Sequence, residues 1–326
     1  MLLLARAEVE RLLTPQACIA ALEEAFRQLA QGGVPPPGIL GQHAPEGGFH
    51  VKAGFLSADQ PYFAAKINAN FPQNGPRHGL PTIQGAVLLF DASNGAPLAI
   101  MDSISITALR TAAATAVAAK HLARADCETA LICGCGGQAM AQLRALLEVR
   151  KPEKVLAYDQ DPRKAHAFAR TAGVPVIAVG NLDEAARASE IIISCTTARR
   201  YFITRDMVRP GTFIAAVGAD SEDKQEIDPA LMARAKVVTD LTAQSATIGD
   251  LHHALAAGAM KTEDVYAELA EVVSGRKRGR TSAEETIVFD STGTGLQDVA
   301  AAIAVYRQAV KEGLRSSVTL AGESGA

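Results

Sequence analysis

The feature that most constrains this chain is a short apolar run that ends in glycines and passes straight into a helical pattern. Residues 130–143 read A-L-I-C-G-C-G-G-Q-A-M-A-Q-L. Ala130–Cys133 has the length and character of a buried strand, and Gly137–Val149 carries a helical pattern. Between them Gly134, Gly136 and Ala139 keep the spacing G-x-G-x-x-A. Gly134 permits a tight turn, Gly136 lets the backbone approach a pyrophosphate, and Ala139 lets helix and sheet pack closely. The free N–H groups at the helix start, around Gly137 and Gln138, favour an anion. Alone the motif is weak, because many strand-to-helix turns carry glycine. Here the next strand-like run, Lys154–Tyr158, ends in Asp159, about 25 residues past Gly134. An acidic side chain there accepts hydrogen bonds from an adenosine ribose and repels a 2′-phosphate. The expected cofactor is therefore NAD(H), with NADP(H) kept open by Asp161 and Arg163 nearby. The competing reading of Asp159 is a cap on the helix that starts at Pro162.

The motif opens a long alternation of strand-like and helical segments. Lys154–Tyr158 precedes Pro162–Ala172, and Val176–Val179 precedes Leu182–Ala188. Ile191–Cys195, Thr212–Val217 and Val237–Asp240 follow, with helical Asp250–Ala256 beyond. Such alternation predicts βαβ units and a doubly wound parallel sheet of the Rossmann type. The chain before it has another texture. A short strand leads into an amphipathic helix opened by Thr14-Pro15, followed by a stiff loop, Gly32–Gly38. Strands are expected at Phe49–Phe55, Tyr62–Asn68, Ile83–Asp91 and Pro97–Asp102, forming an antiparallel or mixed sheet. Thr107–Leu122 reads as a long helix of small residues. The last helix, Thr294–Gln308, is expected to return to the first domain, and the tail Ser316–Ala326 to be loose. A length of 326 residues fits about two domains. The expected fold is α/β: a Rossmann domain over 119–295 and a second, α+β domain with a mixed sheet over 1–118 and 296–326.

Composition narrows the function classes. Charged residues make up 21% and the net charge is −3, so no basic field invites nucleic acid or anionic membrane. Tryptophan is absent and aromatics are 5%, which removes the usual base-stacking surfaces. No uncharged apolar run approaches the roughly 20 residues that span a bilayer. The opening MLLLARAEVERLL is too short in its apolar part for a signal peptide. The five cysteines (Cys18, Cys127, Cys133, Cys135 and Cys195) form no C-x-x-C pair, which points to buried thiols in a reducing cytoplasm and to no metal. The basic run Gly275–Arg280 is brief and free of aromatics, and reads as a solvated loop.

In a doubly wound sheet, ligands bind beyond the carboxyl ends of the strands. Thr196 follows one such end and reads as a cofactor-edge contact. Gly218-Ala219-Asp220 follows another, and places a carboxylate where the nicotinamide is expected; the plainer reading of Asp220 is a solvated turn residue. Three cations stand where charge is unexpected: Lys52 and Lys66 inside strand patterns, and Arg110 near the start of the Thr107 helix. Lys66 also fits an exposed strand face. Arg110, read in a first helical turn, is mildly unfavourable against the helix dipole and hints at an anionic partner. His50 and His78 read as structural.

Together these segments resemble the ornithine cyclodeaminase/mu-crystallin family. The resemblance rests on Ile106–Ala113 (ITALRTAA), Gly134–Ala139 (GCGGQA), Ala216–Asp220 (AVGAD), Phe289–Gly293 (FDSTG), Lys66, and the turn Gly79–Thr82. It implies a cytoplasmic homodimer whose first domain, with the returning helix, binds substrate and forms the dimer. It implies NAD(P)(H) held against an α-amino or α-imino acid. Arg110 and Lys66 would bind the substrate carboxylate, and Asp220 would exchange a proton with the α-nitrogen. Thr82, Thr111 and Ser291 would lie near the cofactor, beside Val217 at the strand end. One departure stands out. Cyclodeaminases carry an arginine in the loop after the first helix, where this chain reads Pro36–Leu40, and a glutamate near Lys52-Ala53. Lys52 would then replace the missing cation or meet a second carboxylate.

KQEIDPALMARA and TGTGLQD resemble the imine-reducing members, which include ketimine, pyrroline-2-carboxylate and iminosuccinate reductases and alanine dehydrogenases. The implied activity is reduction of an α-imino acid to the L-amino acid. The alternatives are ornithine cyclodeamination to proline and ammonia, and a mu-crystallin-like binding protein without turnover. A proton-exchanging Asp220 beside the two cations argues against pure binding.

Overall fold

A computed structural model describes residues 1–318, in two units: Met1–Arg110 with the segment from Thr294, and Thr111–Gly293. The first begins with β1 (Leu2–Leu4), α1 (Arg6–Leu12) and α2 (Pro15–Ala30). Thr14 caps α2, its hydroxyl accepting from Ala17 N–H at 3.2 Å, with Pro15 at the first helical position. Then come β2 (Gly38–Ala44), β3 (Gly47–Ser57), β4 (Pro61–Asn70), α3 (Asn74–His78), β5 (Ile83–Asp91) and β6 (Pro97–Asp102). The sheet order is β1-β6-β5-β4-β3-β2. All neighbours are antiparallel except β1 and β6, so the sheet is mixed. β2 was not expected, because GILGQHA lacks alternation; it forms by pairing with β3 from Gly38↔Ala53 to Ala44↔Gly47.

The two faces of this sheet differ. On β3 and β4, Lys52, Gly54, Leu56, Tyr62, Ala64 and Lys66 are buried. Their alternates Phe49, Phe55 and Ile67 are 44%, 43% and 42% exposed, and Leu40, paired with Val51, is 54% exposed. Period two thus puts an apolar, uncovered face opposite a buried one that holds two lysines.

α4 (Ser103–Leu122) follows, and the division between the units falls within it, after Arg110. The second unit holds β7 (Thr129–Cys133), α5 (Ala139–Val149), β8 (Lys154–Tyr158), α6 (Pro162–Thr171), β9 (Ile177–Ala178), α7 (Leu182–Ala188) and β10 (Ile191–Ser194). It continues through β11 (Arg199–Ile203), β12 (Phe213–Ala216), β13 (Gln225–Ile227), α8 (Pro229–Arg234), β14 (Lys236–Thr239), α9 (Thr242–Ile248) and α10 (Asp250–Ala256). It closes with β15 (Ala267–Glu268), α11 (Leu269–Val273) and β16 (Ile287–Asp290). Eight strands form one parallel sheet, ordered β15-β14-β16-β12-β10-β7-β8-β9. β7 and β10 adjoin where the strand order reverses, the switch point at which such sheets bind ligands. The central strands are buried throughout and apolar up to Ser194 and Asp290 at their carboxyl ends, because helices cover both faces of a parallel sheet.

α12 (Gly295–Lys311) returns to the first unit and lies against the buried side of β3. Gly295 makes that approach possible: a Cβ there would stand 2.3 Å from the Ala53 carbonyl oxygen. The expected loose tail is partly corrected. Leu3 N–H donates to Ser316 O and Val318 N–H to Met1 O, each at 2.9 Å, so residues 316–318 use the free edge of β1. The rest of that tail, 319–326, lies outside the described residues. Among these, no helix is long and apolar enough to cross a membrane.

Candidate active site

In the second unit the glycine turn lies between β7 and α5. Gly134 has φ +91°, and a Cβ on it would meet the Thr196 side chain at 2.7 Å and Cys195 O at 2.9 Å. Two constraints, a left-handed backbone and a close neighbour, therefore require glycine there. Gly136 and Gly137 are exposed, with open space where a Cβ would stand. Ala139 is fully buried at the start of α5, the close-packing position. Gln138 Oε1 is buried without a hydrogen-bond partner, an acceptor left for a ligand.

Asp159 joins this turn. Its carboxylate accepts from Cys135 N–H at 2.8 Å and Asp161 N–H at 2.9 Å. The cap on α6 is Asp161, which accepts from Arg163 N–H at 3.0 Å, so the competing reading of Asp159 fails. A Gly-rich turn, a helix N-terminus beyond it and a carboxylate ending β8 fit a dinucleotide with a free ribose 2′-hydroxyl. The thiols here are spectators: burial pushes Cys135 up to about 12, and Cys133 and Cys195 well above the ordinary thiol value. Among the described residues no group of three His, Cys, Asp or Glu side chains is placed to hold a metal ion.

Thr196 follows β10. Its N–H and hydroxyl donate to Glu226 Oε1 at 2.7 and 2.6 Å. Val217 extends β12, donating to Ser194 O at 2.9 Å. Gly218 N–H donates to the other Glu226 oxygen at 2.8 Å. Asp220 stands on the loop beyond, 55% exposed, with its carboxylate 2.5 Å from Lys224 Nζ. Glu226 itself was missed, because KQEID reads as a polar, solvated run; only its contacts reveal it. Ser291 is buried just past β16, and its hydroxyl has no partner. Thr111 is buried, with its carbonyl accepting from the Thr115 hydroxyl at 3.3 Å.

In the first unit two cations bond one carboxylate and a third lies near it. Lys52 and Lys66 are register partners on β3 and β4, 8% and 3% exposed, on the same face. Lys66 Nζ donates to Asp298 Oδ1 at 2.8 Å, and Arg110 Nε donates to the same oxygen at 3.0 Å. Arg110 also reaches Gln297 Oε1 at 2.9 Å. The solvent-face reading of Lys66 is thereby corrected. So is the placement of Arg110: α4 begins at Ser103, two turns earlier, because Ser103 and Ser105 extend the helical pattern. Free N–H groups do not surround Arg110, and side chains from α12 hold it. Asp298 and Gln297 went unrecognised in LQDVAAAIAV. Their signal was a carboxylate in the first turn of an otherwise apolar helix, where the dipole favours it.

Burial pushes the Lys66 ammonium down to about 7; Asp298 opposes this, while Arg110 and Lys52 add to it. Burial raises Asp298, but Lys66 and Arg110 outweigh it and hold the carboxyl below its ordinary value. Asp298 Oδ2 is buried without a hydrogen-bond partner. The cluster thus concentrates positive charge around one carboxylate, which suits an anionic ligand carrying a hydrogen-bond donor. Thr82 lies exposed on the loop before β5, away from these ion pairs in the contacts it makes.

Comparison with known proteins adds the following. Residues 1–313 match the ornithine cyclodeaminase/mu-crystallin family. An iminosuccinate reductase from Paracoccus denitrificans is 37% identical over 324 residues, spanning 98% of this chain and all of that protein. An archaeal alanine dehydrogenase dimer with bound NAD superposes with a TM-score of 0.93 at 35% identity, over 98% of this chain and 99% of that one. Delta(1)-pyrroline-2-carboxylate reductase from Thermococcus litoralis, in complex with NADH and L-proline, gives 0.91 at 35% identity, over 98% and 100%.

Proposed function

The chain belongs to the ornithine cyclodeaminase/mu-crystallin family, and from that premise we propose that it is an NADH-dependent reductase of α-imino acids. The observation that carries this reading is the buried group of Lys52, Lys66 and Arg110 around Asp298, in a chain whose other unit has a dinucleotide turn with a carboxylate at the ribose position. The iminosuccinate and pyrroline-2-carboxylate reductases among its relatives support it. Gly134, Gly136, Gly137, Gln138 and Ala139 would hold the pyrophosphate, and Asp159 the adenosine ribose. Thr196, Val217, Thr111, Thr82 and Ser291 are proposed as further cofactor neighbours. NADH, when bound, supplies the hydride.

The protein's own part is to bind, orient and protonate. Arg110 and Lys66 take the substrate carboxylate, and Lys52 supplies a further cation to it or to a second carboxylate. A C=N carbon accepts hydride more readily when its nitrogen is protonated, and Asp220 is proposed to handle that proton, with Lys66 as a second proton-bearing group. The uncovered apolar face bearing Leu40, Phe49, Phe55 and Ile67 supports a homodimer, and we place the enzyme in the cytoplasm.

The test follows NADH absorbance with 1-pyrroline-2-carboxylate, a cyclic ketimine, and pyruvate, glyoxylate or oxaloacetate with ammonia or methylamine. NADH consumption with any of these imines supports the reading. Ammonia and proline from L-ornithine without net NADH change would replace it with cyclodeamination. D220N is expected to abolish turnover while keeping NADH affinity; a fully active D220N removes Asp220 from the chemistry.

A further inference from the structure

Four buried carboxylates lie along the carboxyl edge of the parallel sheet, and what they hold is backbone N–H groups with two threonine hydroxyls. Glu226 is fully buried. One of its oxygens accepts from Thr196 N–H and hydroxyl, the other from Gly218 N–H. It therefore joins the loop after β10 to the loop after β12. Its own N–H, with that of Ile227, donates to Asp250 Oδ1 at 2.8 and 2.9 Å. The N–H groups of Asp250 and Leu251 donate in turn to Asp290, which ends β16, at 3.2 and 2.9 Å. Asp240, just past β14, accepts from the Thr292 hydroxyl at 2.9 Å and Gly293 N–H at 2.6 Å. The fit at Glu226 is close. A Cβ on Gly218 would stand 2.5 Å from its carboxylate and 2.4 Å from Thr196 O, so that loop accepts only glycine.

We propose that Glu226 is a positioning residue: by clamping the loops after β10 and β12 to one another it sets the nicotinamide end of the cofactor site and the place where Asp220 stands. The substrate-side part of this rests on the reductase reading; the cofactor-side part does not. Two geometric facts distinguish the clamp from ordinary packing. Both oxygens are used, one on each loop, and Thr196 and Gly218 are each the second residue past β10 and β12, at the strand ends where a doubly wound sheet meets its ligand. Burial raises the Glu226 carboxyl, and the donors around it pull the other way. An accept-only group ringed by N–H and O–H donors functions as the carboxylate.

E226Q keeps the shape but turns one acceptor into a donor facing an N–H. It is expected to raise the Kd for NADH, followed by fluorescence titration, about tenfold or more, and to lower kcat more than it changes KM for the imine. Hydrogen exchange should quicken at residues 195–198 and 217–221, with the rest of the unit unchanged. E226D keeps the charge but is one methylene short, so it can reach one loop but not both. It is expected to reproduce the rise in Kd while staying folded at some loss of stability, which keeps the test open if E226Q folds poorly. Wild-type NADH affinity in a folded E226D or E226Q, or faster exchange spread through the whole unit with Kd unchanged, would overturn the proposal. Because NADH binding is read directly, a wild-type enzyme that reduces no imine would sink the reductase reading and leave this test intact.

Discussion

The two units bury charge in opposite ways. In the first, Lys66 and Arg110 bond Asp298 with Lys52 buried on the same face, and side chains neutralise side chains. In the second, Glu226, Asp250 and Asp290 are buried close together, and the donors they accept from are backbone N–H groups with the Thr196 hydroxyl. Backbone amides are fixed once the fold forms, so carboxylates that they satisfy make stable cross-links between loops. Side-chain cations can turn from one anion to another. A buried group of them is therefore suited to receiving a carboxylate from solution. One unit uses buried charge to hold its own chain; the other is proposed to hold a ligand with it.

Removing the counter-ion should break this comparison most severely. D298A leaves buried cations without their carboxylate, and is expected to cost about 3–5 kcal/mol in urea unfolding. D290N keeps one acceptor for the amides of Asp250 and Leu251, so its expected cost is about 1 kcal/mol. Equal losses would mean that the two clusters do not differ in kind. Next in size is G134A. It meets both a left-handed backbone and a neighbour at 2.7 Å, about 1–3 kcal/mol of strain, and NADH affinity measured by calorimetry should fall tenfold or more.

The pH dependence of stability sharpens the contrast, because the two units should contribute slopes of opposite sign. Lys66 falls from 10.5 unfolded to about 7 folded. Between those values only the unfolded chain holds the proton, so this lysine makes stability rise with pH, and K66M should flatten that rise. Burial pushes Asp290 from 3.8 up to about 7, so across that window the folded state holds the proton and stability falls as pH rises. D290N should remove the share of that decline that Asp290 carries, leaving the part due to Asp250 and Glu226, which burial also raises. Urea midpoints at pH 5, 7 and 9 for both variants and the parent separate the two limbs; parallel profiles would refute the assignment. The smallest effect is expected at the cofactor's far end. D159N leaves the turn's shape but removes the charge proposed to face the ribose 2′ position, and should shift the NADH-to-NADPH preference about tenfold toward NADPH in competition kinetics.

Much of this was legible in the sequence. The strands β5, β6 and β8 and the helices α7 and α10 match their expected bounds, because period and turn residues act locally. β2 and α1 were not legible. β2 has no alternation of its own and exists through its partner β3, and α1 is a single short stretch between two stronger signals. Lys66 and Arg110 could be picked out as misplaced charge, but Asp298, far along the chain, could not be joined to them. Glu226 had no signal, since a buried carboxylate satisfied by amides looks in sequence like any solvated one.

The glycine turn, its helix and the carboxylate at Asp159 lie within one βαβ unit, so near neighbours in the chain determine them without outside help. The buried ion cluster and the Glu226 clamp depend on groups that only folding brings together: Lys66 with Asp298, Thr196 with Gly218. Burial and hydrogen-bond partners set what a charge does, and both belong to the tertiary structure.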